Sequence, residues 1–289
     1  EAAGRAASRV HAVPEARRAR IDGTIAFDAS ALVNQHGVTQ AHLRPRLEGL
    51  VVDGLGTEAL ATAALPARCA PTRDRVDGWL PRAVIAAEDQ RFFEHAGFDL
   101  DEAMQAWAAN RSVDTQQPHG ANASHNAKAP HNAKAPRGAS TITQQLAKLV
   151  YTGDDRSAAR KLREWLYAVE MERTLGKGRI LQLYLAIAPW GGEVCGAEAA
   201  SRRWLGKPAG RLAPHEAAWL ASLLRQPDAS LARWRDTAVI DAADTVRVVR
   251  VIEASRPMPK RQREQSIEEL QRWRPPMRGG RPRVDQPPA

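Results

Sequence analysis

Apolar positions recur at helical spacing from about residue 75 to 225, a pattern that predicts a mainly α domain. At about 100° per residue, Val84, Glu88 and Phe92 fall within roughly 80° of one another, with Ile85 alongside. A carboxylate therefore projects into the apolar stripe of its own helix. Pro81 stands where a first-turn proline would. Thr141 followed by Gln144 predicts a capping box opening a helix over 141–150. Around 156–174, Leu162, Trp165, Leu166 and Val169 share one face, while Arg160, Lys161, Arg163 and Glu164 lie on the other. Gly206 and Pro208 stop a helix that runs from about Ala197, and Pro214 opens the next.

Outside this block the pattern changes. Residues 21–70 alternate short apolar runs with Gly, as in Gly23-Thr24-Ile25-Ala26-Phe27, and predict a small strand-containing element. Residues 1–20 are Ala/Arg-rich and read as a frayed or helical lead-in. Over 111–137 the helical pattern breaks, and His-Asn-Ala-Lys-Ala-Pro occurs twice, at 125–130 and 131–136. His119, His125 and His131 have no Cys and only Asp114 as a carboxylate nearby, so the segment reads as a mobile loop in preference to a metal site. From Ser255 onward nine basic residues face four acids, and the Pro/Arg/Gly-rich end from Arg274 reads as a disordered tail.

Composition narrows the function classes. Of 289 residues 43% are hydrophobic, enough for a packed core, and the formal charge of +9 favours an anionic partner. Nucleic acid is disfavoured, because no aromatic–basic interleaving occurs before the tail. No window approaches 18 uninterrupted apolar residues, so no transmembrane helix is expected within the chain. The first residue is Glu1 and not Met, and an upstream signal or membrane anchor is left open. Two cysteines, Cys69 and Cys195, exclude a disulfide scaffold or a Cys-rich zinc domain. Whether they pair with each other is left open by the sequence.

Candidate chemistry gathers at two places. A desolvated Glu88 suits a general base or acid, and reads equally as a structural glutamate paired with a buried Arg or His, with Arg91 and His95 nearby in sequence. The 156–174 helix groups three cations around Glu164, with Lys148 on the preceding helix as a fourth. Such a group suits a pyrophosphate, though a salt-bridged helix surface has the same pattern.

Four segments together resemble the peptidoglycan glycosyltransferases of family 51, found as monofunctional transglycosylases and as the N-terminal halves of bifunctional penicillin-binding proteins. Glu88-Asp89-Gln90-Arg91-Phe92-Phe93-Glu94-His95-Ala96-Gly97 is similar to the first motif of that family, and Gly138-Ala139-Ser140-Thr141-Ile142-Thr143-Gln144-Gln145-Leu146-Ala147-Lys148 to the second. Arg160-Lys161-Leu162-Arg163-Glu164 is similar to the third, and Ile180-Leu181-Gln182-Leu183-Tyr184-Leu185 to the fourth. About residues 75–250 are covered.

The resemblance implies a mainly α, lysozyme-like helical domain over 73–254, preceded by a small N-terminal extension over 1–72 and followed by a basic segment over 255–289. It implies polymerisation of lipid II, with inversion to a β-1,4 link and release of undecaprenyl pyrophosphate. Glu88 then matches the base for the acceptor hydroxyl, and Glu164 the second essential glutamate. Lys148, Arg160 and Lys161 match the diphosphate-holding residues. Ser140, Thr141, Gln144 and Gln145 match the donor cleft, and Asp89, Phe92 and His95 complete the substrate-binding set.

No cofactor is implied as required, with Mg2+ optional. The implied partners are lipid II, the growing lipid-linked strand, the membrane surface and a cell-wall synthesis complex, at the periplasmic side of the inner membrane. Gln182 and Ala186 depart from the Glu and Asn usual in the fourth motif, and Leu149 from an Asn after Lys148. These departures keep a second reading in view, a non-catalytic homologue that holds lipid-linked glycan or scaffolds wall synthesis. A third, a glycoside hydrolase, leaves the cation cluster unexplained.

Overall fold

The computed structural model describes residues 13–34, 37–62, 76–100, 104, 140–154, 157–237, 240 and 242–276. Two antiparallel strands, β1 (Arg20–Asn34) and β2 (Gly37–Asp53), form a hairpin ahead of a helical body. The register runs from Arg20 opposite Asp53 to Asn34 opposite Gly37, with an extra β2 residue opposite Gly23 and a second register shift between Leu32 and Val33. The strand-containing element expected over 21–70 is thus present as one hairpin. A single 3-10 turn at Pro14–Arg17 precedes it, and another at Thr57–Ala61 follows.

The body comprises α1 (Trp79–Glu88), α2 (Ile142–Ala147), α3 (Ala158–Thr174), α4 (Gly176–Ile187), α5 (Ala197–Leu205), α6 (Pro214–Ser222), α7 (Pro227–Thr237), α8 (Ala242–Ala254) and α9 (Lys260–Arg272). This is the mainly helical architecture that the resemblance implies. Every residue of α6 from His215 to Ser222 is buried, which makes it the central rod of one half. Helices α1, α8 and α9 pack on it. In the other half α2 is held between α3 and α4. Leu80, Val84, Phe92, Ile142, Leu146, Ile180, Leu183, Trp190 and Leu220 are almost fully enclosed and belong to one continuous core.

Local sequence signals set the helix ends. Gly206, in the left-handed region at φ 70°, caps α5, and Pro214 occupies the first turn of α6, as expected. The predicted capping box at 141–150 forms only half. Thr141 Oγ1 accepts the Gln144 N–H at 3.2 Å, but the Gln144 side chain turns away to Lys161. Helix α2 then widens into a π-helical turn over Lys148–Thr152. The segment after Ser255 is not all tail: α9 buries Ser266 and Leu270, and Trp273 packs edge-on against Trp219. The 111–137 loop and the end beyond residue 276 lie outside the described residues. Among the described residues, no helix is long and apolar enough to cross a membrane.

Candidate active site

Helix α1 ends at Glu88, and the chain turns through 89–99 before α2 begins. That turn is fixed by buried polar contacts. Asp89, 2% exposed, accepts the N–H of Ile142 at 2.9 Å, placing a carboxylate at the N-terminus of α2. Both Asp89 oxygens lie 3.0 Å from His95 Nε2. The Gly97 N–H is donated to His95 Nδ1 at 3.2 Å, so Nε2 carries the ring proton and donates to Asp89. Thr141 Oγ1 donates to the Gly97 carbonyl at 2.6 Å. Gly97 itself, at φ 98°, lies so close to α3 that a Cβ would come within 2.7 Å of the Ala168 backbone. Only glycine fits this approach.

The turn therefore locks the end of α1, the start of α2 and the middle of α3 together. Between them opens a cleft of about 900 Å3. Its walls carry Glu88, Gln144, Gln145, Lys148, Arg160, Lys161 and Glu164, with Ser140 at the entry to α2. Glu88 accepts a hydrogen bond from Gln145 Nε2 at 2.9 Å. Burial raises its pKa above the ordinary carboxylate value; the Gln145 N–H and the Arg225 charge oppose that rise, and Asp89 adds to it. Neither Arg91 nor His95 pairs with Glu88, because Arg91 pairs with Asp99 and His95 with Asp89. Both sequence neighbours of Glu88 are thus engaged elsewhere, while the Arg225 charge acts on it.

Glu164 is 2% exposed and pairs with Arg160 one turn before it and with Lys161 at 3.0 Å. Lys161 Nζ also donates to Ser140 Oγ at 2.8 Å and to Gln144 Oε1 at 2.7 Å, so it is held from three sides. Burial, then the charges of Arg160 and Lys148, bring the Lys161 pKa down to about 8. Lys148 stands more open and pairs with Asp154 at 2.6 Å. A diphosphate offered to this wall would meet fixed cations in place of bulk water.

Two parts of the sequence reading change. Arg163 does not join the cations around Glu164; it turns to the back of α3 and pairs with Glu15, 4% exposed, at 2.8 Å. Nor is the opposite face of α3 uniformly apolar core, since Leu162 is 46% exposed. The helix is covered on two sides, by α2 in front and by the segment around the hairpin behind, which a single-stripe reading does not anticipate.

Of the remaining site candidates, Phe92 is fully enclosed beneath the Lys177 ammonium, 4.4 Å from its ring centroid. His95 and Thr141 act within the turn just described, and Thr141 is 2% exposed. The structure does not bring these three to the cleft wall. Asp89 reaches the wall, but its carboxylate is committed to His95 and Ile142. Gln182 and Ala186 lie on α4 and do not line the cleft, whereas Leu149 does.

Arg225, Leu224, Pro227 and Pro189 also line the cleft and were not singled out by sequence reasoning. The one signal for Arg225 is a cation following the largely apolar stretch from Ala217 to Leu224. Cys195 is disulfide-bonded, while Cys69 lies outside the described residues.

The family model described as Transglycosylase matches residues 60–252. Several curated relatives carry the name biosynthetic peptidoglycan transglycosylase. The one from Nitrosomonas eutropha is 40% identical over 154 residues, 53% of this chain and 55% of the relative. That from Bordetella avium is 42% identical over 154 residues, 53% of this chain and 58% of the relative. That from Nitrosospira multiformis is 34% identical over 189 residues, 65% of this chain and 71% of the relative. The matches thus span a little over half the length of the first two. A model covering well over half the chain, on the segments that build the cleft, shows the family: the chain belongs to the transglycosylases.

Proposed function

We propose that the chain is a peptidoglycan glycosyltransferase that polymerises lipid II into glycan strands. The observation that carries this reading is the shared cleft: Glu88, with its raised pKa, and the Arg160–Lys161–Glu164 group line one cavity of about 900 Å3. Glu88 takes the proton from the acceptor 4-hydroxyl as that oxygen attacks the donor's anomeric carbon. The bond from that carbon to the diphosphate oxygen breaks, and the configuration inverts. Undecaprenyl pyrophosphate departs with the bonding electrons, and Lys148, Arg160 and Lys161 stabilise its charge. Glu164 holds Arg160 and Lys161 in place. Ser140, Gln144 and Gln145 complete the donor wall.

This reading places the cleft at the periplasmic face of the inner membrane, with the chain's positive charge favouring anionic headgroups and a cell-wall synthesis complex as its setting. Mg2+ is an optional addition, and no step is routed through it. Gln182 and Ala186, which favoured a non-catalytic homologue, are not among the residues that line the cleft.

The deciding experiment follows conversion of labelled lipid II to polymer in detergent, comparing the chain with Glu88→Gln. Polymer from the first and none from the second, with unchanged circular dichroism, is expected. Equal turnover by both would remove Glu88 as the base. Lipid II binding without polymer from either would favour the scaffold reading.

A further inference from the structure

A chain of two hydrogen bonds runs from the cleft into the core. Tyr184 of α4 is 2% exposed, and its hydroxyl donates to Gln145 Oε1 at 2.9 Å. Gln145 Nε2 donates in turn to Glu88 Oε2, also at 2.9 Å. The direction of this chain has consequences, because a glutamine amide is an acceptor at one end and a donor at the other. Reversed, it would set a carbonyl oxygen against the Glu88 carboxylate.

The phenol opposes that reversal. Burial pushes Tyr184 well above the usual tyrosine range, and the Glu88 and Asp89 charges act in the same sense, so the hydroxyl keeps its proton. Among the described residues, Gln145 is its one hydrogen-bond acceptor. With the amide reversed, the Tyr184 O–H would face an NH2 group and remain a buried donor with nothing to receive it.

We propose that Tyr184 is a positioning residue: its buried hydroxyl fixes the Gln145 amide with N–H toward Glu88 and so holds that carboxylate in its ionised, proton-accepting form. The proposal rests on Glu88 being the base and deepens that reading by naming what sets the base's protonation. Other groups act on Glu88 as well. Asp89 follows it in the chain, Arg225 faces it from the turn after α6, and Tyr184 lies behind Gln145 on α4. Arg91, Lys148, Arg160, Lys161 and Glu164 share the same cavity. Among the described residues, however, Gln145 alone hydrogen-bonds Glu88, so its orientation acts at closest range.

Tyr184→Phe deletes the hydroxyl and keeps the ring. Chain labelled with 13C-glutamate is titrated by NMR, the Glu88 resonance being assigned by its loss in Glu88→Gln. The Glu88 midpoint in Tyr184→Phe is expected to rise by about one pH unit. The acid limb of kcat/KM should move upward with it, and the rate should recover at higher pH. In Gln145→Leu the midpoint should also rise, and adding Tyr184→Phe should move it no further.

An unmoved midpoint in Tyr184→Phe, with the rate lowered equally at every pH, overturns the proposal and leaves Tyr184 as a packing residue. A shift that persists undiminished in the Gln145→Leu background also overturns it, since the effect would not pass through the amide. The underlying reading fails separately. If Glu88→Gln still polymerises, the base assignment falls and takes the proposal's functional half with it, whereas an inactive Glu88→Gln with an unmoved midpoint removes the Tyr184 inference alone.

Discussion

Raising the pH through 8 is expected to strip the charge from Lys161 and with it part of the proposed diphosphate site. Burial lowers this lysine first, and the charges of Arg160 and Lys148 follow, bringing it from 10.5 to about 8. The Glu164 carboxylate pulls the other way at 3.0 Å, but it is shared with Arg160. At pH 9 only about a tenth of Lys161 would stay protonated, whereas a lysine of ordinary pKa would be almost wholly charged. Because kcat/KM reports the free enzyme, it should fall about tenfold per unit above pH 8. The limb in kcat should lie higher, since a bound diphosphate favours the ammonium form.

The perturbation that isolates this effect is Lys161→Arg. A guanidinium keeps its charge throughout the range, but its planar fork does not reproduce the three ammonium contacts to Ser140, Gln144 and Glu164. The plateau should therefore drop while the limb near pH 8 disappears. The assay is the initial rate of polymer formation from labelled lipid II at low substrate, between about pH 6 and 10 at constant ionic strength. A wild-type kcat/KM that stays flat beyond about pH 9.5, or a limb retained at the same pH in Lys161→Arg, would refute the reasoning.

Two further outcomes follow from ion pairs on opposite faces of α3. Arg160→Ala should weaken binding of the diphosphate-linked donor by roughly ten- to a hundredfold and flatten its salt dependence; an effect confined to thermal stability would place Arg160 in the fold and not in the site. Arg163→Ala leaves buried Glu15 without its charged partner and should cost about 3 kcal/mol in urea denaturation at neutral pH. Burial raises the Glu15 pKa, but the hydrogen bonds from Arg163, its own backbone and Tyr167, with the Arg163 charge, together outweigh that and lower it. The stabilisation is therefore present above the unfolded value and lost as pH falls through the lowered folded one, so the cost of Arg163→Ala should shrink in acid. A cost under about 0.5 kcal/mol at neutral pH would mark the pair as a solvated surface contact.

Helical spacing carried much of this site into view, and its limits are instructive. Angles about the helix axis place Arg160, Lys161 and Glu164 together whatever surrounds them, and they do meet. The same angles put Arg163 in that group, because spacing does not say what docks behind a helix. Its partner, Glu15, is 148 positions away in the chain. Gly97 was legible as part of a motif, but its need to be glycine depends on the Ala168 backbone arriving from another helix. Arg225 sits in an ordinary turn after α6, and only the packing of α1 on α6 brings its charge to Glu88. The Tyr184 hydroxyl was likewise out of reach, since its meaning depends on a glutamine from α2 and a glutamate from α1 arriving in line.

The cation wall is held from both sides, and the rear support lies largely outside the family match at 60–252. Buried Glu170 of α3 accepts the backbone N–H of Leu55 at 2.7 Å and of Thr57 at 3.1 Å. The Thr57 and Thr174 hydroxyls lie 2.8 Å apart, and Arg173 pairs with Asp53 at the base of β2. Toward the other end Glu15 accepts both Arg163 and the Tyr167 hydroxyl. These contacts fix α3 along its rear from Arg163 to Thr174, while Lys161 fixes it in front through Ser140 and Gln144. Electrostatic stabilisation of a departing diphosphate works only if the cations are already in place when the charge develops, because moving them then would consume the gain. A helix tied on one face alone could tilt with its cations. Glu15, Asp53, Leu55 and Thr57 therefore steady the helix that carries the cations, although none of them lines the cleft.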